Sequence, residues 1–95
     1  MFTVIVTSKA LNQLDEMTIF YENISNGLGD RFLSDYYTTL VKLSKNPFAY
    51  FNLKNNKRRI SFKTFQCMLI YEIKGSIIQV QVLKDFRSKP NKDFY

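Results

Sequence analysis

The chain has 95 residues, of which 45% are hydrophobic, with nine Phe, six Tyr, three Gly and two Pro; this profile excludes a disordered chain and allows one modest core. No His and a single Cys exclude an internal disulfide and remove the usual zinc ligands, so no metal, no cofactor and no imidazole chemistry are expected. The formal net charge of +6 is uneven: residues 1–41 hold Lys9 and Arg31 against five acids, while residues 42–95 hold twelve bases against three acids, which predicts a basic face for nucleic acid or an acidic protein segment.

Residues 2–6 form a β-branched run that predicts a strand, and Ser8 stands where its hydroxyl would cap a following helix. Ala10, Leu14, Met17, Tyr21 and Ile24 recur at spacings of four and three, so they share one face of that helix while Asp15, Glu16 and Glu22 face water. Asn26-Gly27 breaks the pattern, since both residue types tolerate positive φ. It resumes with Phe32 or Leu33, then Tyr36, Leu40 and Leu43, until Asn46-Pro47. A break this short predicts an antiparallel helical hairpin, with Tyr36 and Tyr37 read as core along with Phe62 and Tyr71.

Residues 48–56 show no period, end in Lys54-Asn55-Asn56 and read as a surface loop. Arg58, Ile60 and Phe62 then alternate with Arg59, Ser61 and Lys63, a period of two that predicts a strand with one face on the core and a basic row on the other. Residues 67–73 are apolar at nearly every position, as in a central strand covered on both sides, and Lys74-Gly75 predicts a tight turn. In the last strand Ile78, Val80 and Val82 are expected to point inward, with Gln79 and Gln81 outward.

The predicted fold is a single α+β domain over residues 1–95, ordered β-α-α-β-β-β, with the N-terminal helical hairpin packed on one face of an antiparallel sheet. Function is expected on the uncovered face. No apolar stretch is long enough to cross a bilayer and no leader precedes the first strand, so a cytoplasmic protein with no membrane partner is expected.

Several local signals in this order resemble the ParE/RelE superfamily of bacterial toxins, also described as plasmid stabilisation proteins. They are Ala10 opening the first helix, Leu28-Gly29-Asp30-Arg31-Phe32 like the family's Leu-Gly-x-x-Phe, and Leu43-Ser44-Lys45-Asn46-Pro47 like its Leu-x-x-x-Pro. Then come Arg58-Arg59 opening a strand and Phe65-Gln66-Cys67-Met68-Leu69-Ile70-Tyr71, like Phe-Pro-Tyr-x-Ile-x-Tyr. The last is the stretch from Val82 to Pro90, like the closing His-x-x-Arg-x-Pro. The chain departs from the pattern at Gln66 and Cys67, at Lys84 in place of His, and in the residue that separates Ser88 from Pro90.

The resemblance implies the toxin of a type II toxin-antitoxin system, neutralised in a heteromeric complex by a cognate antitoxin whose acidic amphipathic segment wraps the basic surface. Members resembling ParE are associated with poisoning of DNA gyrase, which needs only a binding surface. Members resembling RelE are ribosome-dependent, metal-independent endoribonucleases. An inactive relative that binds only nucleic acid or the antitoxin is the third reading.

RNA cleavage through the 2′-hydroxyl needs a base, cations for the phosphorane and an acid for the leaving oxygen. Arg59 and Arg87 are the phosphate clamps of that reading, Lys84 its acid or base, and Tyr95 a stacking or proton-transfer group. As a target-binding set the candidates are Arg58, Arg59, Lys63, Arg87 and Lys89. Each has a structural alternative, such as a solvated strand-edge arginine or an exposed lysine.

Overall fold

The computed structural model describes residues 2–86. In chain order it runs β1 (Thr3–Val6), α1 (Ser8–Ile24), α2 (Leu28–Lys45), a 3-10 turn (Pro47–Ala49), β2 (Phe51–Lys54), β3 (Lys57–Ser61), β4 (Cys67–Lys74) and β5 (Ile77–Asp85). The five strands form one sheet in the order β1-β5-β4-β3-β2, antiparallel except for β1, which lies parallel to β5. The helical hairpin carries the chain from β1 to β2 at the opposite edge of the sheet, and the antiparallel run β2-β3-β4-β5 returns it to lie beside β1.

The α+β class agrees with the sequence, and the order of elements needs one addition. Residues 48–56 are not a loop but a 3-10 turn followed by edge strand β2 and its turn into β3. Asn55 and Asn56 both take positive φ, at 54° and 66°, which is the turn geometry whose twist matches a two-residue hairpin. The strand leaves no period because it is four residues long and at the sheet edge, with Phe51, Asn52 and Lys54 exposed.

The cap of α1 is Thr7 rather than Ser8: the Thr7 hydroxyl accepts the Ala10 N–H at 3.2 Å, and Ser8 is the first helical residue. Ala10, Leu14 and Tyr21 are buried as expected, but Ile24 in the last turn is exposed. Gly27, at φ 87°, turns the chain between the helices and carries no capping side chain. The Glu22 carboxylate caps α2 instead, accepting the Gly27 N–H at 3.0 Å and the Gly29 N–H at 3.0 Å. A Cβ at Gly29 would stand 2.9 Å from the Thr18 carbonyl oxygen, so glycine is what lets α2 start this close to α1.

Between hairpin and sheet the core is aromatic. Phe32 is fully buried, with ring centroids 5.0 Å from Tyr21, 5.3 Å from Phe65 and 5.6 Å from Phe62. Leu69, Tyr71, Ile78 and Val80 close it from the sheet side. Tyr36 joins this core, whereas Tyr37 points to solvent from the far side of α2. Among the described residues, no helix is long and apolar enough to cross a membrane.

Candidate functional site: the uncovered sheet face

Register decides which side chains reach the uncovered face. Phe51 pairs with Arg59, Arg59 with Ile70, and Ile70 with Val82, so these four form one row across β2, β3, β4 and β5. The next row holds Ser61, Met68 and Lys84, and the row on the other side holds Lys57, Glu72 and Gln79.

Val82 and Lys84 reach this face because of a bulge. The β4–β5 register shifts where Ile70 pairs with Val82 and Tyr71 with Val80, leaving Gln81 as the extra residue. That residue reverses the alternation beyond it, so Leu83 takes the core position after Val80. The expectation that Val82 points inward is therefore corrected: its neighbour Leu83 is buried, and Val82 lines the uncovered side. Strict alternation from Val80 would have driven the Lys84 ammonium into the apolar core.

The second half of β5 extends past β1, and the start of α1 covers that edge. The Thr7 hydroxyl donates to the Gln81 carbonyl at 3.2 Å, and the Leu83 N–H donates to Gln13 Oε1 at 2.8 Å. Lys9 and Gln13 of α1 thereby reach the rim of the uncovered face. The Gln81 amide donates to Glu72 Oε1 and Gln79 Oε1, both at 2.8 Å, which engages the carboxylate of the Lys57 row.

These elements line an open cavity of about 400 Å³, to which Leu53, Ile70 and Val82 contribute apolar side chains and Lys9, Lys54, Lys57 and Lys84 contribute cations. Among the described residues, no carboxylate lines it. A lining that combines apolar side chains with four lysines is chemically suited to a polyanion or an acidic amphipathic segment. At the edge of the same face the Arg59 guanidinium lies 4.3 Å from the centroid of the Phe51 ring.

Of the residues singled out in the sequence, Arg59 and Lys84 share this face. Arg58 does not: it has the parity of Ile60, and its guanidinium donates to the carbonyls of Phe48 at 3.1 Å and Tyr50 at 2.8 Å. Its role is to hold the backbone leading into β2. Lys63 sits beyond β3 beside a different and more open cleft, with Arg31, Ser34 and Asp35. Arg87, Lys89 and Tyr95 lie outside the described residues. Sequence reasoning missed Lys9, Lys54 and Lys57, which come from α1 and the β2–β3 hairpin; the signal was the Lys54-Asn55-Asn56-Lys57 pattern, a positive-φ turn between two lysines.

The geometry thus defines a small α+β domain with a helical hairpin on one sheet face and a lysine-ringed cavity on the other. No protein-family model and no curated protein matches the sequence. Solved structures do. A chain of the chromosomal ParDE toxin-antitoxin system from P. aeruginosa superposes with TM-score 0.65 at 18% identity, covering 90% of this chain and 96% of that one. A chain of the intact E. coli RelBE toxin-antitoxin complex gives 0.60 at 11% identity, covering 90% and 96%. The isolated E. coli RelE toxin gives 0.61 at 13% identity, covering 93% and 88%. The fold is that of the ParE/RelE toxins.

Proposed function

We propose that this chain is the toxin of a type II toxin-antitoxin pair, neutralised by a cognate antitoxin bound in a heteromeric complex. The observation that carries the reading is the lysine-ringed cavity on the uncovered face. The shared fold supports it, since the similar chains come from toxin-antitoxin systems and one is the RelE toxin itself. Lys9, Lys54, Lys57 and Lys84 offer charge, and Leu53, Ile70 and Val82 offer apolar area, to an acidic amphipathic antitoxin segment.

For the target, the first reading is inhibition by binding, in the manner of ParE, with DNA gyrase as the target. It is supported by a hairpin of 17- and 18-residue helices whose outer side chains Ile19, Tyr37 and Val41 remain exposed, a surface suited to protein contact. The second reading is RelE-like, ribosome-dependent and metal-independent cleavage of messenger RNA. Arg59 and Lys84 on one face favour it, as a phosphate clamp and a proton-transfer group. Induced expression in bacteria without the neighbouring gene tests both. Filamentation with DNA damage supports gyrase inhibition, arrested translation with shortened messages supports nuclease action, and normal growth contradicts the toxin reading.

A further inference from the structure

The cavity accounts for the lysines but not for Phe51, an aromatic residue 58% exposed at the sheet edge. Its partner Arg59 stands opposite it in the β2–β3 register and stacks its guanidinium at 4.3 Å from the ring centroid. One ring face is thereby covered by a permanent cation, while the residue as a whole stays exposed. We propose that the Phe51 ring, backed by Arg59, is a stacking platform for one unpaired nucleobase of a single-stranded nucleic acid whose adjacent phosphates enter the lysine-ringed cavity. This rests on the reading, given above, that the uncovered face is the functional one.

Three observations point to a nucleobase. A guanidinium on one face of a phenyl ring draws electron density from it, so the free face favours an electron-rich purine. Position fits as well: Phe51 pairs with Arg59 and Lys54 with Lys57 on the uncovered face, and the register shift between Asn52 and Lys54 brings both Leu53 and Lys54 into the cavity lining. A base on Phe51 thus places its own or the next phosphate at the mouth, where Lys54 and Lys57 stand as compact cations that accept phosphate in many orientations. Lastly, the platform is held rigidly. Arg58 fastens the carbonyls of Phe48 and Tyr50 immediately before Phe51, and the Asn55-Asn56 turn fixes the hairpin, with the Asn56 carbonyl accepting the Ile73 N–H at 3.2 Å. A ring ordered before binding loses little entropy when a base arrives.

The test is fluorescence anisotropy of the purified full chain with end-labelled ten-residue oligoadenylate as RNA, the same length as DNA, and an abasic oligomer of equal charge. The platform predicts tighter binding of the base-bearing oligomers than of the abasic one. Phe51→Ala should weaken base-bearing binding by roughly 5- to 150-fold, the range for one stacked base, and leave abasic binding unchanged, while Phe51→Trp should restore it. RNA and DNA arms bound alike assign plain stacking, and a preference for RNA adds recognition of the 2′-hydroxyl; both agree with the platform. Equal affinity of wild type and Phe51→Ala for oligoadenylate would overturn it, as would a Phe51-dependent affinity confined to a glutamate-rich peptide. Phe51 is exposed, so Phe51→Ala should melt like the wild type, and a matched melting curve makes any affinity change readable. Growth arrest on expression is scored separately, so a toxin without the platform and a platform without toxicity are distinguishable outcomes.

Discussion

The Asp35 carboxylate in the middle of α2 accepts the Thr64 N–H at 2.8 Å, and with it the N–H groups of Phe65 at 3.0 Å and Lys63 at 3.3 Å. One buried side chain of a helix thus satisfies three successive donors of the β3–β4 connection and fixes where β4 begins. Buried donors left unpaired cost about 1–3 kcal/mol each, less whatever water recovers. Asp35→Ala should therefore lower stability by about 3 kcal/mol, and Asp35→Asn, which keeps one acceptor, by less. Chemical denaturation of both variants measures it, and an unchanged midpoint for Asp35→Ala would remove this account of the loop.

Gly29→Ala should destabilise the fold although alanine is the better helix former. The propensity gain is about 1 kcal/mol. Against it, the new Cβ meets the Thr18 carbonyl oxygen at 2.9 Å and Glu22 Oε1 at 3.0 Å, pushing the helices apart and disturbing the carboxylate that caps α2. A net loss of about 1–2 kcal/mol is expected. Gly75, where a Cβ would meet nothing within 4 Å but φ is +62°, should accept Asn at small cost. Thermal melts of the two variants should separate clearly.

Arg58 and Arg59, neighbours in β3, should fail in different ways. Arg58→Ala frees the carbonyls of Phe48 and Tyr50 and should lower the melting temperature by several degrees. Arg59→Ala removes a cation from the uncovered face and should reduce toxicity while melting close to wild type. The paired measurement is growth on induction and a melting curve for each. Equal effects of the two substitutions on both readouts would contradict the assignment of their side chains to opposite faces.

Stability should fall in strong base because of Tyr71. Burial pushes its phenol up to about 12 from 10.0, the nearby Arg58 charge acting in the opposite direction, and its hydroxyl donates to the Pro47 carbonyl at 2.6 Å. The raised value means that the folded state holds the proton more tightly than the unfolded chain. The contribution is complete below pH 10 and is lost as pH rises toward 12. Tyr71→Phe should lose about 1 kcal/mol at neutral pH and show a shallower decline across that window, read by denaturant midpoints from pH 8 to 12.

How far the sequence could be read depends on where each residue's partner lies. The helices were legible because Ala10, Leu14 and Tyr21, and Phe32, Tyr36 and Leu43, bury one stripe each at helical spacing. Edge strand β2 was not, since a strand with exposed side chains writes no alternation into its four residues. The bulge at Gln81 was equally silent, because an extra residue is defined by what β4 presents opposite it. That bulge decides the face of Val82 and Lys84, so a strict alternation carried past Val80 assigns both incorrectly. At the site, Arg59 was found from the alternation of its strand and Lys84 from its place in the closing motif, whereas Lys9 joins them because α1 closes the edge of β5, through Thr7 and Gln13. Gly29 was visible as part of a familiar motif, and its physical reason, the approach to Thr18, required the packed hairpin.

The central claim, that a toxin acts through the basic cavity on its uncovered sheet face, is tested most directly by inducing wild type and the triple variant Lys54→Ala, Lys57→Ala, Lys84→Ala in growing bacteria. All three substitutions change cavity lysines and remove no core side chain, so matched melting curves are expected. The account predicts that wild type arrests growth and that the triple variant, at equal soluble abundance, does not. Arrest of equal depth by both proteins, or growth unaffected by either, would contradict it.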